Sequence, residues 1–599
     1  MLEFPLKIKS VDGADYNIVI WNGEQLGAEM ALDCETTVAP FHTRNHRLVV
    51  FQVYGGGDTI HLVRRKHLQR FLNQHKDSKI IGQNIPFDIQ VLMHEVSKES
   101  LFQFYDKDLV FDTKILFSLL SLAVTGQVPS RDQTSLKHMY KTLMGLDIDK
   151  NHTVRTTFDQ FLNMPYEKMT IEHVGYASLD VVYTYNLYCK LLAMIKPHDK
   201  YGTLLSAHIQ VKGDLALDQI YKNGIGVDLT AKDKLAQEFE TEISHIDERL
   251  AQWGIVKGKK GSQEQYERAV LRLGIADKLP RTETGKISSK AGDLEPFTYI
   301  PFVSDYVNMG TYSKLQSFLV NLKDDVIHPT YTTILNTGRT ATQSGHNGIS
   351  VQQLPRSGGI RELFVPKSKD KVFLDVDYSA IELAGLSQVL LSLYGESKMA
   401  DAINDDKDLH YITAASIYKK PESEVSKDER QFAKIANFGY PANMAPATFV
   451  DYCKAYSVSL TEDEAANIKN AWLDTYPEMV KYFSSPNGKE DGKNEWNKNT
   501  YEHYTLTGRK RARCTYTAYL NTGFQGLCAD GLKLALYNLL KLGYHITTEI
   551  HDQILVEVSR DEVEKKKEEM GRIMIESMQK VIPDVLVKVE AQVLERFTK

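Results

Sequence analysis

The sequence predicts a multi-domain protein of the α/β class, and three observations carry that prediction. The chain has 599 residues, several times the roughly 100–200 residues of one domain. Up to about residue 195, apolar β-branched runs alternate with helical patterns, the order of an α/β domain. From about residue 325 the pattern changes to a buried-type strand ending in acids, a long helical stretch, and a strand pair turning at His551-Asp552.

In order along the chain, "AEMALDCETT" and "LVVFQVYGGG" read as strands, β-branched or apolar and closed by Gly. "MTIEHVGYASLDVVYTYNLYCKLLAMI" reads as a long helix ended near Pro197. After "LALDQIYKNGIGVDLT", an amphipathic helix starts at Thr230 as N-cap and repeats Leu235, Phe239, Ile243, Ile246 and Leu250 on one face. The stretch 257–290, with "VKGKKGSQ" and "PRTETGKISSKAG", reads as a flexible basic segment. "KVFLDVDYS" is a buried strand ending in acids, and about 400–515 is mostly helical with a polar insertion, "SSPNGKEDGKNEWNKN". "QGLCADGLKLALYNLLKLGY" is helical, "HITTEIHDQILVEV" is two short strands, and "DEVEKKKEEMGRIMIESMQKVI" is a charged amphipathic helix.

Hydrophobic residues make up 42% and charged residues 25%, so an ordinary folded protein is expected rather than a disordered one. The net charge of −6 lends no support to a nucleic-acid binder, nor does it exclude one, since the position of charge decides binding. The five cysteines, Cys34, Cys189, Cys453, Cys514 and Cys528, form no CxxC pair, which argues against a zinc knuckle or a disulfide framework and for a reducing, cytoplasmic setting. "MLEFPLKIKS" has no signal core, and no run of about 18 apolar residues suggests a membrane span.

Two sets of residues point to chemistry. In "DCETT", Asp33 and Glu35 share one face of a strand end; "GQNIPFDIQ" adds Asp88; "YASLD" adds Tyr176 and Asp180, one helical turn apart. Singly each is an ordinary polar position. Together, four carboxylates from three segments could hold a pair of hard divalent cations such as Mg²⁺ or Mn²⁺, which about 3.5–4 Å apart activate water for phosphodiester hydrolysis. The second set starts with "RQFAKIANFGY", where Arg430, Lys434 and Phe438 recur every four residues and so stack along one helix face. Cations suit a triphosphate and a ring suits a base. Asp377 in "DVDYSAIEL" and Asp552 in "IHDQILVEV" supply the acids that nucleotidyl transfer needs.

The order "DCE", "NIPFD", "YASLD" resembles the three motifs of the DEDDy 3′–5′ exonucleases, which have an RNase H-like fold. That resemblance implies Asp33, Glu35, Asp88 and Asp180 as metal ligands, Tyr176 as assistant to the nucleophile, Asn84 and Phe87 as support, and Asp112 of "FDTKILFSLL" as structural. "DVDYSAIEL", "RQFAKIANFGY" and "IHDQILVEV" resemble motifs A, B and C of the family A DNA polymerases. "NTGRTATQSGHNGISVQQLP", "DLHYITAASIY" and "NTGFQGLCADGLK" resemble further segments of that family, so the resemblance spans about the whole chain. It implies an exonuclease domain over 1–195 and a right-hand polymerase domain over 196–599, with thumb about 230–325, palm about 326–400 and 516–599, and fingers about 401–515. By the same resemblance Asp377 and Asp552 bind catalytic metals, and Glu382 is a steric gate against a ribose 2′-OH. Arg430 and Lys434 contact the triphosphate, Lys434 also donating a proton to pyrophosphate; Phe438 and Tyr378 border the nucleotide. Arg339, Asn521, Gln525 and His551 contact primer–template DNA. The basic 257–290 segment then belongs to a DNA-gripping thumb, and "GRKRAR" (508–513) contacts phosphates.

The expected activity is template-directed DNA synthesis from dNTPs, with two Mg²⁺ per active site (Mn²⁺ able to substitute) and 3′–5′ proofreading. By resemblance to relatives with Phe at this position, Phe438, lacking a hydroxyl, implies poor use of dideoxynucleotides. Three positions depart from the family pattern: Ala380 where Gln is common, Gln553 where Glu is usual, and Ala442, after the helix-ending Pro441, where Tyr is common. With the exonuclease beginning almost at residue 1 and no 5′-nuclease domain ahead of it, the layout resembles phage replicative enzymes, hence host cytoplasm if phage-encoded. No large thumb insertion announces a processivity partner. A single-subunit RNA polymerase is the alternative disfavoured by Glu382, Phe438 and the exonuclease half. A nuclease with a passive polymerase half is disfavoured by the intact Asp377, Asp552, Arg430 and Lys434.

Overall fold

The structure, a computed structural model, describes residues 1–598 apart from 40–44, 149–151, 256–262, 283, 344–348, 485–489 and 494–498. Its N-terminal part is built on a seven-stranded sheet of β1 (Leu6–Lys9), β2 (Asp15–Ile20), β3 (Glu29–Thr36), β4 (Leu48–Tyr54), β5 (Thr59–Leu62), β6 (Lys79–Gly82) and β7 (Val110–Asp112) in the order β1-β2-β5-β4-β3-β6-β7. β3 is antiparallel to β4 and parallel to β6. Every residue of β4, LVVFQVY, is buried, as expected of a strand covered on both faces. Three helices flank the acid-bearing end of this sheet or support it: α1 (Pro86–Leu92), α2 (Thr113–Thr125) and α3 (Ile171–Ile195), the last packed across β3 and β4.

Helix α4 (Leu205–Asn223) leaves this unit and is buried along almost its whole length. It packs on α11 (Tyr516–Lys541) and also touches β7, α1 and α2. One hydrophobic cluster therefore runs from the N-terminal sheet through α4 into the C-terminal half. Next comes α5 (Leu229–Ala251), whose N-cap is Asp228, not Thr230: the Asp228 carboxylate accepts the Ala231 N–H and also pairs with Arg596 at 2.7 Å. A carboxylate two residues upstream reaches the free N–H of the first turn, which leaves Thr230 inside the helix.

The basic stretch 257–290 is not a uniform loop. Its "VKGKKGS" part lies outside the described residues. Gln263–Arg272 forms α6, and Arg281 and Ile287 bridge in a small hairpin. Tyr266, Leu279 and Ile287 are buried with Phe302, Tyr306 and others against α7 (Pro301–Asn321), with the Tyr266 and Tyr306 rings 4.4 Å apart. Apolar residues interleaved with the cations supplied a separate small core, and burying them outweighs the loop-like composition.

The C-terminal half is organised by β8 (Lys371–Tyr378). Helix α8 (Ile381–Tyr394) follows, then α9 (Leu409–Tyr418) and α10 (Lys427–Gly439). Strands β9 (Asn499–Tyr504) and β10 (Lys510–Cys514) pair within the region read as helical, and the described part of the polar insertion, Glu490–Lys493, pairs with β9. Then come β11 (His545–Ile550), β12 (Gln553–Ser559), α12 (Val563–Gln579) and β13 (Val589–Leu594). The four-stranded antiparallel sheet runs β11-β12-β8-β13. Among the described residues no helix is long and apolar enough to cross a membrane.

Candidate active sites

The N-terminal site forms where β3, α1 and α3 meet. Alternation on β3 sets Asp33 and Glu35 on one face, and α3 brings Asp180 over it. One ligand oxygen from each of Asp33, Glu35 and Asp180 lies within 4.8 Å of the others. Asp88 on α1 is 2% exposed and accepts the Cys34 N–H at 2.8 Å. Burial, and then the charge of Asp33, push its carboxyl well above the usual range. The all-oxygen donor set of Asp33, Glu35 and Asp180, with Asp88 beside it, fits hard divalent cations. Gln52 donates to Asp33 at 2.7 Å. The Tyr176 phenol is raised by burial and then by Asp180 and Glu35, so it keeps its proton as a donor. Asp112 is spent on backbone: it caps α2 through the Lys114 N–H and receives the N–H groups of Asn84 and Ile85. Phe87 packs edge-on against His46 at 5.1 Å.

The C-terminal site is a cleft of about 750 Å³ bordered by Asp377, Asp552, Glu382, Arg339, Arg430, Lys434, Phe438, Gln525 and His551. Register explains the acids. Asp377 pairs with Gln553 across β8 and β12, and the Tyr378 N–H donates to the Asp552 carbonyl at 3.1 Å. The segments carrying the two aspartates are thereby tied backbone to backbone. Asp552 occupies a two-residue turn whose other member, His551, is left-handed at φ 66°. Ala380, just before α8, is left-handed too, at φ 50°. Backbone strain of this kind is characteristic of functional sites.

Across the cleft, α10 begins at Ser426 with a capping box closed by Glu429 and ends at Gly439, where Tyr440–Ala442 continues as one tight turn containing Pro441. Arg430 donates to Asp408 through Nε at 2.8 Å and Nη2 at 2.7 Å. Lys434 Nζ lies 5.9 Å from the Phe438 ring, and Phe438 is 39% exposed. His410 also borders the cleft. Burial holds its imidazole down to about 4, Asp408 opposing and Arg430 and Lys434 reinforcing that direction, so it is a neutral ring at ordinary pH. His410 and Asp408 were missed as site residues, though the segment "DLHYITAASIY" contains both.

Other expected residues are placed differently. Asn521 is one helical turn before Gln525 on α11 and half-buried, outside the residues bordering the cleft. Arg339 is ion-paired with Glu382, so the expected DNA contact and the expected gate hold each other. Tyr378 borders the cleft, but its side chain is buried and its hydroxyl donates to the Met574 carbonyl at 2.7 Å. Most cations of "GRKRAR" are committed to protein partners, with Arg513 exposed. Arg509 is 3% exposed and pairs with Asp530 at 2.6 Å; Arg511 is buried on Thr522 at 2.8 Å; Lys510 pairs with Glu502 at 2.7 Å. The interior acid Asp530 needs a counter-charge more than the surface needs an arginine. Gln553 turns away from the cleft and donates to buried Asp375 at 2.7 Å.

The family model described as DNA polymerase family A matches residues 230–599, and that described as 3′-5′ exonuclease matches 16–196. DNA polymerase I of Aquifex aeolicus is 24% identical over 561 residues, 89% of each chain. DNA polymerase I of Borreliella burgdorferi is 24% identical over 548 residues, 86% of this chain but 56% of that one, and that of Caldicellulosiruptor bescii is 25% identical over 80% of this chain and 56% of its own. The chain thus spans nearly all of one such relative and about half of others. That nearly full-length match is to a bacterial protein, so it does not point to a phage origin. A solved structure described as the POL domain of Pol1 from M. smegmatis in complex with DNA primer-template and dNTP superposes with a TM-score of 0.72 over 96% of each chain at 18% identity, a likeness of fold.

Proposed function

Because the chain belongs to DNA polymerase family A and carries a 3′–5′ exonuclease domain, we propose that it extends a primer on a DNA template from dNTPs and edits the 3′ end in its N-terminal site during replication. The observation that supports this reading is the single cleft bordered on one side by Asp377 and Asp552 and on the other by Arg430, Lys434 and Phe438.

In this reading divalent cations, Mg²⁺ foremost and two per site, are held by Asp377 with Asp552 and by Asp33, Glu35, Asp88 and Asp180. When bound they supply activation of an oxygen nucleophile and charge stabilisation of the leaving group. Arg430, oriented by Asp408, and Lys434 take the triphosphate; neutral His410 offers it a further hydrogen bond. Phe438 covers the base. Glu382, steadied by Arg339, crowds the sugar edge. In the N-terminal site the protonated Tyr176 orients the attacking water. Template is read through base pairing, with Arg339, Gln525, Asn521 and His551 toward the primer–template.

Extension of a labelled primer–template with dNTPs or rNTPs and Mg²⁺ tests the reading, with Asp377→Ala and Asp33→Ala alongside. The expected result is extension with dNTPs alone, abolished by Asp377→Ala, and 3′ degradation abolished by Asp33→Ala only. A folded wild type that shortens but never extends the primer refutes the polymerase assignment.

A further inference from the structure

The turn that aims Asp88 is held by Asp112 and Lys114, and Lys114 is braced from outside the exonuclease match. Asn84 precedes Asp88 by one helical turn and is left-handed, φ 58°. Its N–H and that of Ile85 are taken by Asp112 at 3.2 and 2.8 Å. Its side-chain oxygen accepts from Lys114 Nζ at 2.8 Å. The same ammonium lies 2.7 Å from Asp214. Asp214 is beyond the 16–196 exonuclease match, on α4, which packs along α11 of the palm. It is 7% exposed, and its other oxygen accepts from the Thr333 hydroxyl, on the segment leading to Arg339. Burial alone would lower the Lys114 amine; Asp214 and Asp112 outweigh it and the net direction is upward, so the bridge is an ionic one.

We propose that Lys114 and Asp214 are positioning residues of the exonuclease: a carboxylate of the polymerase half holds, through one ammonium, the turn that aims Asp88 at Asp33, Glu35 and Asp180. The proposal rests on the exonuclease reading of the N-terminal site. It makes that site dependent on docking against α4. A side chain without this function would be a solvated lysine or a direct DNA contact, since Lys114 also borders a second cleft of about 560 Å³ between the two halves.

The test is hydrolysis of a 5′-labelled single-stranded oligonucleotide by the full chain with Mg²⁺ or Mn²⁺, comparing Lys114→Met, Asp214→Asn, the double variant, Lys114→Arg and Asp214→Glu. Each truncating variant is expected to lower kcat about tenfold or more, as loss of a residue behind metal ligands does, with KM within about twofold. The double variant should be no worse than the weaker single, the mark of one shared interaction. Lys114→Arg and Asp214→Glu should regain part of the loss, and Lys114→Met should extend a matched primer like wild type. Wild-type kcat in Asp214→Asn overturns the proposal, as do additive single effects or a Lys114→Met effect confined to KM. If the truncating variants also lose extension through misfolding, Lys114→Arg and Asp214→Glu decide by the same kcat and KM outcomes. A wild type without any exonuclease activity removes the reading beneath the proposal, a result distinct from a hydrolysing wild type matched by Asp214→Asn.

Discussion

Replacing Arg509 by Met separates two opposite accounts of "GRKRAR". The Arg509 and Asp530 side chains are 1% and 0% exposed, 2.6 Å apart. At that separation the attraction is about 6 kcal/mol for an effective dielectric of about 20. Removing one partner of a buried pair typically costs about 3–5 kcal/mol, because the other charge stays behind. Asp530 keeps Gln210 at 2.8 Å and Thr507 at 2.5 Å, and Lys533 is near enough to be raised by it. These place the expected loss at the lower end, about 3 kcal/mol. Thermal unfolding should show a clearly lower midpoint for Arg509→Met, partly recovered in Arg509→Met/Asp530→Asn, where neither charge is left alone. The salt dependence of DNA binding should be unchanged. A wild-type midpoint with a salt slope reduced by about one unit, the signature of a lost phosphate contact, would refute the buried-pair reasoning.

Gln553→Glu should set a carboxylate against Asp375 where a 2.7 Å hydrogen bond now stands, at a cost of at least the roughly 1–3 kcal/mol of a lost buried bond; Asp375→Asn/Gln553→Glu, which restores a donor and an acceptor, should recover most of it, and a double variant no more stable than Gln553→Glu sinks the idea. A pH effect is expected from Lys533 and Glu549. Burial pulls the Lys533 amine from its ordinary 10.5 down to about 7, and burial lifts the Glu549 carboxyl from its ordinary 4.5 to about 7. For Glu549 the folded value is raised, so its contribution falls as pH rises from 4.5 to 7; for Lys533 it is lowered, so its contribution is regained only as pH rises from 7 to 10.5. Their joint contribution therefore dips near pH 7. The unfolding midpoint of wild type relative to Lys533→Met/Glu549→Gln, measured from pH 5 to 10, should trace that dip, and a flat difference contradicts it.

Local patterns carried much of this protein. The i, i+4, i+8 spacing of Arg430, Lys434 and Phe438 defines a helix face whatever surrounds it. Pro441 ends that helix because it has no N–H to give. Alternation puts Asp33 and Glu35 together, and the short link between two apolar runs makes His551-Asp552 a turn. Each signal lies within one element, where chain geometry alone relates the residues. Composition misled where burial competes with charge: the basic stretch near 270 hides Tyr266 and Ile287, and Arg509 looks like its exposed neighbour Arg513 until Asp530 is brought beneath it.

Other outcomes belonged to tertiary structure alone. Gln553 meets Asp375 from 178 positions away, and Lys533 meets the Gly338 carbonyl from 195. Lys114 reads as a surface lysine until α4 delivers Asp214. Burial and the nearest charge together set a side chain's ionisation and its commitment. Over such separations that neighbour is chosen by how helices and sheets pack, which no period or spacing in the sequence records.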